Sequence, residues 1–283
     1  VADAVGPFPD RPFLETWWRR HGGTDRLAIV TTDTGTMPLR VSGEVVKFCG
    51  NANLTDYHSP LGDPASAIAA AAAAFPGQPF SFNSLPEEAA DALLASLGAD
   101  GHSSTRFEDA ITAVIDLDTG PGWLDDLRKK DRHEIRRKQR RFVETLGDCW
   151  LERRSDAAAA AIFADMHRQA AGTKARFMSE EQEAFFADLV TTAGATVDLL
   201  SSDKGPVAAA FGFVRPDGYY LYNSAYAEEA SAASPGIVLL AALIDSLIAD
   251  GVPRLDLLKG DEAYKFRFGA QPRQLFRLQG RFR

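Results

Sequence analysis

GVPRLDLLKGDEAYKFRFG, Gly251 to Gly269, places more ionisable side chains at one strand end than a packing segment needs. A Gly-Val-Pro turn leads into a short buried-looking strand, Arg254 to Leu258. Lys259-Gly260 breaks it, and the pattern predicts a helix from Asp261 to Phe268 that Gly269 ends. Asp261 at a helix start suits the positive end of the helix dipole. Asp261, Tyr264, Lys265 and Phe268 follow i, i+3, i+4, i+7 and are expected to share one face. Asp256, Asp261, Tyr264 and Lys265 are therefore candidates for acid–base chemistry, with Lys259 beside them as a substrate-binding candidate. The competing reading is an Asp-Lys ion-pair network that pins the strand end to the helix.

Upstream, the second half of the chain reads β-α-α-β-β-β-α-β-α-β. Its elements include helices over Asp156–Ala171 and Ser179–Ala193, a tyrosine-rich strand Tyr219–Ala225, and a helix Ile237–Asp250. The first half, from Trp17 on, reads α-β-β-β-α-β-α-β, the same order without its first strand and helix. Two copies of one α+β unit are expected, each with a mixed, largely antiparallel sheet flanked by helices. The division drawn from the sequence is residues 1–120, a basic connecting helix over 121–147, and 148–283. The connecting pattern is a continuous helix from Trp123 to Leu146. Its apolar seam of Leu124, Leu127, Ile135, Phe142 and Leu146 is interrupted by Asp131 and Lys138.

The chain has 283 residues, 45% apolar and 25% charged, which is the balance of an ordinary globular protein with a sizeable core. No window approaches the length and apolarity of a membrane span, and no signal peptide is visible, though the first residue is Val1. A cytoplasmic protein is expected. The two cysteines, Cys49 and Cys149, lack metal-ligand spacing and read as reduced thiols; no metal site is expected. The net charge of −8 argues against DNA binding but permits a local basic site. Such a site exists in Arg128–Arg141, which holds nine Lys or Arg residues and two acids. A solvated helix face is the plain reading; contact with a phosphate-bearing substrate, an acyl donor or a tRNA-like partner is the functional one, with Arg136 as its representative. The sequence has no Gly-x-Ser-x-Gly elbow, no His-Glu-x-x-His and no P-loop, so it offers no support for a serine hydrolase, a zinc protease or an NTPase.

The element order, with Gly205-Pro206-Val207-Ala208-Ala209, Ser234-Pro235-Gly236 and the whole of Asp256–Gly269, resembles a GNAT (Gcn5-related acyltransferase) domain. The full chain resembles the tandem-GNAT acetyltransferases of the CelD/BcsL, or BioF2-like, family, which are similar in architecture to the FemABX aminoacyl transferases. Asp56-Tyr57, Arg136-Arg137 and Met166-His167-Arg168 are weaker matches. The resemblance implies transfer from acyl-CoA, most simply acetyl-CoA, to an amine or hydroxyl of a small-molecule, saccharide or peptide acceptor. It implies that the helix after Ser234 holds the pyrophosphate, with Ser234, Gly236 and Ile237 at its start. It also implies that the strand before it, through Asn223 and Ser224, lines the donor site. The Gln/Arg-x-x-Gly-x-Gly/Ala loop of such domains is absent, since Glu229–Ala233 brings no glycine before Gly236. Tyr264 falls where many such enzymes place a tyrosine acid, and Lys265 where FemABX proteins carry an oxyanion-stabilising lysine. Asp256 and Asp261 are alternative bases. The acceptor is expected in a groove between the halves, with Asp56, Tyr57 and His167 as further contacts. A FemABX-like, tRNA-dependent aminoacyl transfer and a non-catalytic binding protein of the same fold are the alternatives.

Overall fold

The computed structural model describes residues 4–118, 120, 122–170 and 176–283. Ala171, where the sequence pattern ends a helix, and Pro121, where it opens the basic connection, lie outside these. The chain forms two compact units: Val1–Thr112 with Pro272–Arg283, and Ala113–Gln271. This differs from the division expected at residues 120 and 148. The basic helix is part of unit 2, and the closing strand of the chain belongs to unit 1.

In unit 1, β1 (Arg26–Thr31), β2 (Gly35–Ser42) and β3 (Val45–Phe48) pair antiparallel in sequence order. The expected polar loop 50–64 contains a two-residue strand, β4 (Leu61–Gly62), which pairs β2. β5 (Pro79–Pro86) joins β3 in parallel, and β12 (Gln271–Arg281) joins β5 antiparallel. Three helices cover this sheet: α1 (Arg11–His21), α2 (Pro64–Ala74) and α3 (Glu87–Ala99). The start of α2 is set by Asp63, whose carboxylate accepts from the Ala65 and Ser66 N–H groups, with Pro64 where a missing N–H costs nothing. Phe13 and Trp17 of α1, with Phe48, Phe80, Phe82 and Phe282, are fully buried and form the aromatic centre of the unit.

β6 (Ser103–Asp116) runs from unit 1 into unit 2, whose sheet has the order β6-β11-β10-β9-β8-β7. β7 (Cys149–Arg154), β8 (Ala195–Ser202), β9 (Gly205–Arg215) and β10 (Gly218–Tyr226) are antiparallel neighbours. β11 (Arg254–Lys259) lies parallel to β10. One face carries α6 (Ala157–Gln169) and α7 (Glu180–Thr192) over a set of rings that includes Phe163, Phe186, Phe211 and Tyr222. The other face carries α5 (Lys129–Leu146) and α8 (Pro235–Ala249), whose Val238, Leu239, Leu240, Leu243 and Leu247 pack with Ile135 and Phe142. The expected single helix 123–146 is two, because Leu127 and Arg128 adopt extended backbone between α4 (Trp123–Asp126) and α5. The break lets Trp123 stack on Phe268 and donate its indole N–H to Asp245 at 2.8 Å. The mixed, mostly antiparallel sheets flanked by helices are the α+β class expected from the sequence.

Candidate functional site

The site starts with a parting of two strands. β10 and β11 are in register at Tyr219–Leu255 and Tyr220–Asp256, and the remainder of β10 continues alongside β9 alone among the described pairs. A bulge in the β9–β10 register between Leu221 and Asn223 bends β10 at the same level. Under the start of α8, beside this opening, is a cavity of about 370 Å³. Its floor is apolar, from Ala210, Leu221, Leu239, Leu240 and Leu243; its mouth carries Ser224, Tyr226, Ser231, Ser234, Lys138 and Tyr264. An apolar body with a few convergent polar groups is the common form of a small-molecule site. Ser224, Ser234, Gly236 and Ile237 of the expected donor residues all line it. A Cβ added to Gly236 would meet only the Tyr226 ring, at 3.8 Å, so packing does not demand glycine there.

The end of β11 forms one side of this region and is held by its own charges. Leu258 has φ +56°, a left-handed conformation costly for leucine, and Gly260 follows at φ +118°. Asp256, 1% exposed, accepts the Leu258 N–H at 2.8 Å and so fixes the kink. Lys265, 3% exposed, sends its ammonium to the carbonyls of Leu258, Lys259 and Gly260 at 3.3, 2.7 and 3.3 Å, and to Glu262 at 3.0 Å. An ammonium has three hydrogens, and these contacts use them. The expected roles change accordingly: Lys265 ties down the strand end instead of facing an oxyanion, and Asp256 orders backbone instead of standing open as a base. The residue expected at the helix start is also displaced. The last short helix, α9 (Ala263–Arg267), is capped at Glu262, so Asp261 precedes it, exposed, and the four residues do not share a face. The Lys259 side chain is half-buried, and its carbonyl is one of the three that Lys265 holds.

Tyr264 is different. It lines the main cavity and a small adjoining recess formed with Asp131, Glu134, Ile135, Lys138 and Arg267. Although 38% exposed, its phenol is pushed up to about 12 by partial burial and by Glu262 nearby, so it keeps its proton throughout the neutral range. In the same recess, the Arg137 guanidinium bonded to Glu134 holds that carboxyl below the usual range.

Asn223 and His167 come together away from the cavity lining. The Asn223 carboxamide oxygen accepts the Ser224 N–H at 2.7 Å, which fixes which end is oxygen, and lies 3.2 Å from His167 Nε2. That contact requires the histidine proton on Nε2. His167 is buried between Phe163 and Phe177, so it braces the bulge of β10 instead of presenting itself to an acceptor. Arg136 is turned to Asp125 at 3.0 Å and lines neither cavity; the α5 residue that lines both is Lys138. The signal for it was the interrupted apolar seam, since Asp131 and Lys138 both face the recess. In unit 1, Asp56 is half-buried. Tyr57 is fully buried, with its hydroxyl on Thr112 at 2.7 Å and its ring beneath the Arg273 guanidinium. A side chain with no accessible surface packs the core of its unit and cannot touch an acceptor. Among the described residues no cluster of His, Cys, Asp or Glu could hold a metal ion, and no helix is long and apolar enough to cross a membrane.

Residues 129–266 match the family model described as an acetyltransferase (GNAT) domain. No curated protein sequence matches the chain. Among solved structures, L-PGS from Bacillus licheniformis aligns with a TM-score of 0.63 at 15% identity, over 99% of this chain and 94% of that one. The C-terminal (DUF2156) domain of an Agrobacterium fabrum protein, provisionally described as a lysylphosphatidylglycerol synthetase, aligns with a TM-score of 0.63 at 13% identity, covering 94% and 86%. FemX aligns with a TM-score of 0.62 at 12% identity, covering 94% and 90%. At these identities the likeness speaks for the fold. The chain has a GNAT-type fold, and the segment that forms the cavity at α8 lies within its matched acetyltransferase (GNAT) domain.

Proposed function

We propose that this chain is an acyltransferase of the CelD/BcsL kind, in which unit 2 takes an acyl-CoA, acetyl-CoA in the simplest case, and passes the acyl group directly to an amine or hydroxyl acceptor. The observation that carries the reading is the cavity where β10 parts from β11, with the α8 start on one side and Tyr264 on another. Direct transfer needs a donor to protonate the leaving thiolate as the acceptor attacks. The Tyr264 hydroxyl keeps its proton at neutral pH and shares the cavity with the serine hydroxyls at its mouth. Asp131 and Glu134, in the recess that Tyr264 also lines, are paired with Arg128 and Arg137. Asp256 and Lys265 act at one remove, by keeping the β11 end in its strained shape. Neither cysteine enters: Cys49 is buried with its thiol pushed up to about 12, and burial raises Cys149 as well.

The test is to incubate the protein with acetyl-CoA and a panel of amines and amino sugars while following free thiol. Acceptor-dependent thiol release that is lost in Tyr264→Phe supports the reading. Binding of neither CoA nor acetyl-CoA would overturn it. A second reading, FemABX-like transfer from aminoacyl-tRNA, is favoured by the basic α5 and by the missing glycine loop, and the fold shared with FemX is compatible with it. A panel of charged tRNAs, with release of the amino acid as the readout, separates the two.

A further inference from the structure

The start of α8 is a poor anion cradle. Pro235 has no N–H, and the Ile237 and Val238 N–H groups both donate to the Ser234 carbonyl, at 3.1 and 3.3 Å. The Gly236 N–H is then the open donor of that first turn among the described residues. The preceding 3-10 turn, Glu228–Ala233, has two glutamates in its first turn and no glycine. That segment offers no run of glycines whose bare amides could cradle a phosphate. If the donor carries phosphates, side chains must supply the positive charge.

Of the residues that line the 370 Å³ cavity, Lys138 is the one that carries a charge. It comes from α5, which packs against both the 3-10 turn and α8. Its side chain is 23% exposed and lines the cavity. Its ammonium is 3.8 Å from Glu134, at the outer limit of an ion pair, and Glu134 is already held by two Arg137 bonds of 2.8 and 2.9 Å. Lys138 thus keeps hydrogens to offer. Arg141, one turn further along α5, is exposed and has no acidic partner among the described residues.

We infer that Lys138, supported by Arg141, is the phosphate-recognising element of the donor site, a task that α5 takes over from the helix start. This rests on the reading that the cavity binds a phosphate-bearing thioester. The anion is then gripped by mobile side chains, and affinity depends on salt more steeply than it would for a cradle of backbone amides.

Calorimetric titration with CoA, and with pantetheine as the same arm without phosphates or nucleotide, tests it. Lys138→Ala is expected to weaken CoA about tenfold or more and to leave pantetheine unchanged; Lys138→Arg should recover most of the loss, and Arg141→Ala should cost less. The salt dependence of CoA binding should flatten in Lys138→Ala. Equal losses for CoA and pantetheine would overturn the inference, because Lys138 would then be packing the arm. Unchanged CoA binding in Lys138→Ala would also overturn it while leaving the acyl-CoA reading intact. If the wild-type protein bound neither probe, both readings would fall together. Thermal unfolding of each variant separates a binding loss from a folding loss.

Discussion

Tyr264 carries the most specific chemistry assigned to one residue. Removing its hydroxyl in Tyr264→Phe should lower kcat by about 10²–10⁴ while CoA affinity stays near wild type, measured by steady-state kinetics beside titration. Its phenol is raised from 10 to about 12 by partial burial and by Glu262, so the acid form persists and the activity that depends on it is lost only as pH climbs toward about 12. The same shift works on stability in one direction. Its contribution is complete below the unfolded value of about 10 and disappears between there and about 12. The two thiols give a second residue-scale expectation. In the folded protein at pH 8 a thiol reagent should label half-buried Cys149 before Cys49, and Cys49 should react only on unfolding; fast labelling of Cys49 would contradict its burial. At this scale the sequence was partly legible. Tyr264, Ser224, Ser234, Gly236 and Ile237 were named from spacing and resemblance, and all line the cavity. Lys265 was found for the wrong reason, because spacing shows that an ammonium lies near a strand end but not which three carbonyls it faces. Tyr57 looked like a loop residue because a polar stretch hides the two rings, Tyr57 and His58, that turn inward.

Among elements, the end of β11 is where charge and backbone strain meet. Replacing Lys265 with methionine keeps the apolar stem and leaves three strand-end carbonyls unanswered. Unit 2 should lose about 3–5 kcal/mol in denaturant unfolding, and CoA binding should weaken through the displaced strand end. If stability is unchanged, water answers those carbonyls and the clamp is dispensable. A second element-scale case is the buried Asp198, which accepts from Arg153 at 2.7 Å and from the Tyr219 hydroxyl at 2.6 Å. Tyr219→Phe should cost about 1–3 kcal/mol by leaving one carboxylate oxygen short of a partner, with little effect on the cavity chemistry. Element types were readable because strands and helices in this chain differ in period and are punctuated by Gly, Pro and acidic caps. What was not readable was the break at Leu127–Arg128. Both sides keep a helical pattern, and only the packing of Trp123 on Phe268 and Asp245 shows why the chain must straighten there.

Over the whole molecule, charge is segregated. Nine basic residues lie within Arg128–Arg141 of a chain whose net charge is −8, so the remainder is strongly acidic. Despite a sequence pI near 5.2, the protein should be retained on phosphocellulose at neutral pH and low salt, and the charge-reversed Arg140→Glu/Arg141→Glu variant should flow through. The return of residues 272–283 to unit 1 sets another constraint, one of order in time. A ribosome releases every segment of unit 2 before it releases the strand that closes unit 1. Until then β5 lacks β12, its antiparallel partner, and the backbone groups along that side must stay solvated or find another chain. The half of the protein that is made first is therefore the half that finishes last, and a nascent chain stalled near Gln271 would carry a completed unit 2 beside an open sheet.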